Sequence, residues 1–188
     1  MATAGATLAI TGAFCFAVCV VHLHRRRPEI SSRVHGISHY ALGPTYTTMT
    51  TAFVALAIGL LGGAVAVMAV NGVAQPLGPV LIGCAALGLL VVAAVPVPSP
   101  GEPAWRGLAH TAGALLFFVA SAAGALAVSG RLGAPERFLA AALAGAVILF
   151  LTGMAGVPAL FALRGWLQRG CFAAVVAWLL TVGWRCSQ

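Results

Sequence analysis

The sequence predicts an all-α fold: an integral membrane bundle of six transmembrane helices that forms a single domain over residues 1–188. Apolar residues make up 61% of the chain and charged residues only 7%, whereas about a quarter of the residues in soluble proteins are charged. The apolar residues also fall into six long runs, each close to the roughly 20 residues that a helix needs to cross a bilayer. A soluble helical bundle of this length would need a polar surface that this composition does not provide.

The six predicted spans are residues 6–23, 47–70, 77–96, 108–129, 138–160 and 167–184. The first run is followed by a basic segment and not by a small-residue cleavage site, so we expect a retained span and not a signal peptide. Arg169 falls near the start of the sixth run and is expected to reach the membrane interface. Pro158, near the end of the fifth run, is expected to kink or terminate that helix.

The connections between the runs differ in length and polarity. Residues 24–46 form the longest and most polar connection, residues 71–75 a tight turn, and residues 97–107 a proline-rich break. The remaining connections, at 130–137 and 161–166, are short and carry arginine. Short connections favour antiparallel neighbours, which predicts a compact up-and-down bundle.

Small residues recur at four-residue spacing within three of the spans. The pairs are Gly59 and Gly63 in the second span, Ser121 and Ala125 in the fourth, and Ala141 and Gly145 in the fifth. Such pairs let helix backbones approach closely in lipid. They predict close helix packing, and they also offer faces through which the chain could form a homo-oligomer.

Parity places most of the charge on one side of the membrane, because connections one, three and five of a six-span protein share a side. Seven of the ten arginines and all five histidines lie on or near that side. They are Arg25, Arg26, Arg27, Arg33, Arg106, Arg164, Arg169, His22, His24, His35, His39 and His110. The positive-inside rule predicts that this basic side faces the cytoplasm. Membrane lipids are the expected partners; nucleic acid is not, since no soluble arginine-rich domain is present.

The candidate ligand-binding residues lie on this basic side. Glu102, Arg106 and His110 follow at four-residue spacing and would share a helix face, although Pro103 places Glu102 just outside the helix. Further members of the set are Arg164 and Arg169. Arginine holds phosphate groups through bidentate contacts. The sequence therefore predicts that the protein binds or moves a lipid or a small anionic ligand at its basic face.

The alternative is a metal- or haem-dependent membrane enzyme that uses His35, His39 and His110. His35 and His39 are four residues apart and would face the same way on a helix, as metal ligands do, but Gly36 disfavours a long helix there. A hydrogen bond to a neighbouring loop explains each histidine as well. We therefore assign no metal site, no cofactor and no catalytic residue, and whether the chain is an enzyme is left open.

Three short segments resemble a known family. They are GISHYALGP at residues 36–44, the proline-rich break followed by GLAH at 107–110, and GWLQR at 165–169, with Trp178 in the last span. The segments resemble the uncharacterised prokaryotic membrane family called domain of unknown function 998. That family's loop carries an acidic residue that is missing from VPSP at 97–100, where Glu102 is the nearest substitute. The resemblance implies a six-span fold in the plasma membrane and implies no reaction.

Overall fold

The computed structural model describes residues 1–72, 75–99 and 101–188. Within these ranges the chain contains no strand, and six helices are long and apolar enough to cross a membrane, which confirms the predicted fold class. The spans are α1 (Ala2–Arg26), α2 (Tyr46–Asn71), α3 (Leu77–Ala94), α4 (Ala104–Leu132), α5 (Ala134–Met154) and α7 (Arg164–Ser187). The short α6 (Pro158–Phe161) and two 3-10 turns, Ile37–Ala41 and Gly43–Thr45, lie in the connections.

The six spans form a closed ring in chain order. Each span packs against the next span in the chain, and the sixth, α7, packs against the first, α1. Because α7 also contacts α2 and α4, it lies toward the middle of the bundle. Residues from the connections after α1, α3 and α5 line one cavity together, so these connections meet at one end. We call this end the basic end, and residues 27–45 loop one.

A cluster of phenylalanine rings fills the core beneath the basic end. Its members are Phe16, Phe53, Phe117, Phe118, Phe150 and Phe172. The ring of Phe172 on α7 lies at the centre, with centroids 5.2 Å from Phe16 and 5.0 Å from Phe117. Aromatic pairs at such distances add to the stability gained from burial. The cluster joins five of the six spans and supports the residues above it.

The helices of the α1–α2 pair approach closely through glycine. A methyl group on Gly5 would lie 2.7 Å from the Gly62 carbonyl oxygen, and one on Gly62 would lie 2.7 Å from the Gly5 oxygen. Gly59 also faces α1, whereas Gly63 faces Leu179 of α7. The predicted pair of Gly59 and Gly63 is therefore split between two neighbours, and Gly62 completes the α1 contact.

The other two predicted small-residue pairs have different surroundings. Ser121 and Ala125 are buried within the bundle, with 3% and 0% of their surface exposed. Ala141 and Gly145 on α5 face outward, and a methyl group on Gly145 would meet no atom within 4 Å. The latter pair therefore does not pack against any described part of its own chain.

Several predicted boundaries are wrong, and the causes are local. The connection expected at 130–137 is the single residue Gly133, since α4 and α5 continue almost to each other. The fifth span ends at Met154 and not at 160, because the chain turns at Gly156, whose φ is +110°. Pro158 then begins the short α6, so it starts a helix and does not kink one.

The ends of the remaining spans also shift. Helix α3 ends at Ala94, two residues before the predicted end, and α4 begins at Ala104 directly after Pro103, four residues early. Helix α7 begins at Arg164, three residues early. Parts of two predicted connections, residues 73–74 of the tight turn and Pro100 of the proline-rich break, lie outside the described residues.

Candidate functional site

Loop one is cross-linked by its own side chains. Arg27, at the end of α1, donates through Nη1 to the Leu42 carbonyl oxygen and to Thr45 Oγ1, each at 2.8 Å. The Thr45 hydroxyl in turn donates to the Tyr40 carbonyl oxygen at 2.7 Å. The Arg27 guanidinium also pairs with Glu29 and lowers the pKa of that exposed carboxyl. Arg27 is therefore part of the loop's framework.

Arg169 on α7 holds loop one from below. Its Nη1 donates to the carbonyl oxygens of His35 at 2.7 Å and Ser32 at 3.0 Å, and also to Gly165 at 3.1 Å. Its Nη2 donates to the Tyr40 hydroxyl at 3.2 Å. Hydrogen bonds from a charged donor to partly buried acceptors are stronger than neutral ones. The predicted ligand contact Arg169 is thus engaged by the protein itself.

Two neighbours of Arg169 also form hydrogen bonds with loop one. The Ile37 N–H donates to Gln168 Oε1 at 2.8 Å, and the Gly165 N–H donates to the Arg33 carbonyl oxygen at 2.9 Å. A methyl group on Gly165 would lie 2.6 Å from the His35 carbonyl oxygen, so a side chain there would push the loop away. We call Gly165, Gln168 and Arg169 the loop-one clamp.

The clamp borders a cavity of about 490 Å³ between α4, α5, α7 and loop one. This volume lies in the range of small-molecule sites, about 300–1,000 Å³. Its polar lining comes from Ser38, His39, His110, Thr111, Arg164 and Gln168. Its apolar lining comes from Leu115, Phe118, Phe150, Leu151 and Met154, among others. We call it the histidine cavity.

Both histidines of the cavity donate through Nδ1 to the backbone. His110, which is 8% exposed, bonds the Val95 carbonyl oxygen at 2.8 Å, and His39 bonds the Gly36 carbonyl oxygen at 3.2 Å. Because a carbonyl oxygen can only accept, Nδ1 carries the proton in each ring. In the neutral form Nε2 is then an acceptor, and on protonation it becomes a donor.

The surroundings of His39 keep it neutral. Burial lowers the pKa of His39 most, and the nearby His35, His110 and Arg164 lower it further, against the bond to Gly36. The ordinary pKa of histidine is about 6.5. His39 therefore presents an uncharged Nε2 acceptor at neutral pH.

Arg164 supplies the positive charge of the cavity. Its Nη1 donates to the Phe161 carbonyl oxygen at 2.9 Å, and its guanidinium carbon lies 4.1 Å from the centre of the Phe161 ring. Among the described residues no carboxylate pairs with it. One face and several N–H groups of a half-buried guanidinium thus remain for another acceptor.

Arg106 and Glu102 lie apart from the histidine cavity. Their side chains form an ion pair of 2.5 Å, and Glu102 Oε2 also accepts from the Ser99 N–H at 2.8 Å. Glu102 lies just outside α4, as predicted, because the helix begins at Ala104 and only Pro103 stands between them. The structure therefore brings His110 and Arg164 together, uses Arg169 to hold loop one, and places Arg106 with Glu102 at the start of α4.

His35 and His39 lie side by side, with ring centroids 4.9 Å apart and planes inclined at 55°. Three or more protein ligands are usual for a bound transition metal. Within the described ranges no group of three His, Cys, Asp or Glu side chains is placed to hold a metal ion. The alternative metal-dependent function thus gains no support from this arrangement.

Gln168 is the residue whose place in the site the sequence did not predict, and His39 was named only as a candidate metal ligand with His35 and His110. A signal for Gln168 was present, because Gly165, Gln168 and Arg169 share one helix face at three- and four-residue spacing. A small residue and two hydrogen-bonding side chains on one turn favour packing against backbone. His39 and His110 line one cavity because the fold of loop one brings His39 to α4.

The family model described as "Protein of unknown function (DUF998)" matches residues 10–185, which include part or all of each of the six spans, loop one and the clamp. No curated protein and no solved structure matches the chain. The match includes the residues of the histidine cavity and the three segments that carried the resemblance. The chain therefore belongs to the DUF998 family, whose members are multi-pass membrane proteins of unknown function.

Proposed function

We propose that the protein binds a membrane amphiphile with an anionic headgroup in the histidine cavity. The headgroup lies against Arg164, His39 and His110, and the apolar tail lies against the inner wall. The observation that carries this proposal is the half-buried residue Arg164, which has no carboxylate partner among the described residues and lies at the polar end of an otherwise apolar cavity.

The charge balance supports an anion. The neutral Nε2 of His39 becomes a donor once an anionic group nearby favours its protonation. His110 offers the same change beside it. Arg164 provides a permanent charge and donors in a planar fork, a geometry that matches carboxylate and phosphate oxygens. A cationic headgroup would meet Arg164 without a neighbouring carboxylate to offset it.

The apolar wall supports a tail. Phe118 and Phe150 line the inner side of the cavity, while Leu115 and Met154 are 48% and 51% exposed at its outer side. Both of these outer residues belong to spans that face lipid. An acyl chain can therefore enter from the bilayer while the headgroup stays at the basic end.

The remaining predicted residues support the site indirectly. Arg169 shapes it by holding loop one, and Arg106 with Glu102 fixes the segment that carries Val95, the partner of His110. This assigns headgroup contact to His39, His110 and Arg164 and a supporting role to the rest.

The test compares retention of phosphatidylglycerol in detergent-purified wild type and in Arg164→Ala, measured by native mass spectrometry. A hydrogen bond to a charged group contributes about 1.5–3 kcal/mol, so we expect a loss of roughly tenfold or more in apparent affinity. His110→Gln is expected to weaken binding less, since it keeps the size and hydrogen bonding of the residue.

The matched control is Arg26→Ala, which removes one exposed charge from the same end outside the cavity. It is expected to lower retention by less than twofold. Equal losses of lipid retention in Arg26→Ala and Arg164→Ala would mean that the protein holds anionic lipid only by general electrostatic attraction. Unchanged retention in Arg164→Ala would exclude the cavity as the site.

A further inference from the structure

A second polar cavity lies at the end of the bundle opposite loop one. It has a volume of about 400 Å³ and is lined by the first turn of α5 and the last turns of α7. Its polar residues are Glu136, Thr181, Arg185 and Gln188, and its apolar ones are Pro135, Leu180 and Trp184. Neither the family nor the proposed function accounts for this cavity.

Glu136 is the unusual member of this lining. Its side chain is 3% exposed, and its Oε2 is buried without a hydrogen-bond donor among the described residues. A buried carboxylate oxygen normally has a donor, because desolvation without a partner is costly. Glu136 lies in the first turn of α5, and no N–H group of the described residues bonds to its Oε2.

Arg185 lies close to Glu136 without pairing with it. A methyl group on Gly133 would lie 2.7 Å from Glu136 Oε2 and 3.1 Å from Arg185 Nη1, so both atoms border the space above Gly133. The described residues contain no direct ion pair between the two side chains. The φ of Gly133, 174°, is open to any residue, so the effect of glycine here is to let the Glu136 and Arg185 side chains lie close against the backbone.

Glu136 and Arg185 favour groups of opposite charge, and one ligand that carries both charges would satisfy the two side chains. Glu136 Oε2 lacks a donor, best supplied by an ammonium group with several N–H bonds, and the exposed Arg185 can donate to an anionic acceptor such as phosphate. Trp184 is 66% exposed on the same turn of α7. Exposed tryptophans of membrane proteins are enriched at the level of the lipid headgroups, which places the cavity at that depth.

We propose that this cavity binds a zwitterion that carries a primary ammonium and a phosphate, the chemistry of phosphoethanolamine. The ammonium donates to Glu136, and Arg185 donates to the phosphate oxygens. A choline headgroup shares the phosphate but has no N–H bond, so it cannot supply the donor that Glu136 lacks.

The test offers purified wild-type protein equal amounts of phosphatidylethanolamine and phosphatidylcholine with identical acyl chains. Native mass spectrometry then counts the lipids that stay bound. We expect the ethanolamine lipid to be retained about tenfold over the choline lipid, as a charge-assisted hydrogen bond allows. Glu136→Gln is expected to bring this ratio close to one, and Arg185→Ala is expected to lower retention of both lipids with less change in the ratio.

Arg137→Ala is the control, because it removes an exposed charge next to Glu136 and outside the cavity. It is expected to keep the wild-type ratio. Equal retention of the two lipids by wild type overturns the proposal, as does a preference that survives Glu136→Gln. If Glu136→Gln does not fold, Gly133→Ala replaces it, because its methyl group would lie 2.7 Å from Oε2, would force that oxygen to move and is expected to reduce the ratio.

Free phosphoethanolamine distinguishes two sources of the same headgroup. Displacement of the ethanolamine lipid by millimolar free compound would mean that the headgroup alone suffices and that a soluble zwitterion is a ligand. Retention of the lipid in its presence, with the preference over choline intact, would identify the bilayer as the source. Both results support the zwitterion site, and each is independent of the histidine cavity.

Discussion

The guanidinium of Arg169 donates hydrogen bonds to four acceptors. Three of them belong to loop one, namely the carbonyl oxygens of Ser32 and His35 and the hydroxyl of Tyr40. Arginine can do this because its N–H groups spread over a rigid plane, whereas the lysine ammonium is a compact point with three donors. A positive charge alone would thus not hold the loop in place.

Arg169→Lys is expected to loosen loop one while it keeps the charge of the protein unchanged. Loss of hydrogen bonds from a charged donor suggests a decrease of about 2 kcal/mol in the free energy of unfolding. Amide hydrogen exchange of residues 32–40 in detergent should become faster, and thermal unfolding should occur at lower temperature. Arg137→Lys, an exposed exchange at the opposite end, is the control. Unchanged exchange in loop one would contradict the role of the clamp.

At the scale of helices, backbone proximity and not side-chain size holds the α1–α2 pair together. Gly5, Gly59 and Gly62 let the two backbones meet, which increases dispersion contacts where lipid offers no hydrophobic driving force. Helix α5 is different, since Ala141 and Gly145 face outward. The expectation that small residues bind a second copy of the chain stays a prediction.

Gly62→Ala and Gly145→Ala make the same change in two different settings. A methyl group on Gly62 would lie 2.5 Å from Leu8 Cβ and 2.7 Å from the Gly5 carbonyl oxygen, so α1 must move away. We expect a loss of about 1–3 kcal/mol in the free energy of unfolding, as for other overpacked sites. Gly145→Ala meets no neighbour within 4 Å and is expected to cause no loss. Denaturant unfolding in mixed micelles measures both, and equal effects would contradict this account of the α1–α2 contact.

For the whole molecule, composition and hydropathy were enough to predict six spans, because a bilayer demands long apolar helices whatever their packing. The side of the basic residues also followed from the parity of the spans. Helix ends were predicted less well: Gly156 ended α5 early, and nothing in the pattern of apolar residues marks a positive φ. Partners across the bundle were not predictable, because the contact between Arg169 and His35 depends on how loop one folds.

The same limit applies to the candidate site. His110 and Arg164 were predicted from charge and location, and they do line one cavity. Glu102 and Arg106 were grouped with His110 by spacing, but they pair with each other and do not line this cavity. Spacing along a helix shows which residues share a face, and it does not show which of them a neighbouring loop will cover.

The charge of the whole molecule predicts a dependence of stability on pH at the basic end. The chain has a formal net charge of +7, and protonation of His39 adds charge next to His35, His110 and Arg164. Because folding lowers the pKa of His39, the unfolded chain binds more protons than the folded chain between the lowered value and about 6.5. The contribution of His39 to stability is therefore fully present above pH 6.5 and is lost as the pH falls below it. Thermal unfolding in detergent should show a falling midpoint from pH 7.5 to 5.5, and His39→Gln should show a smaller fall. An equal fall in both proteins would mean that other groups cause it.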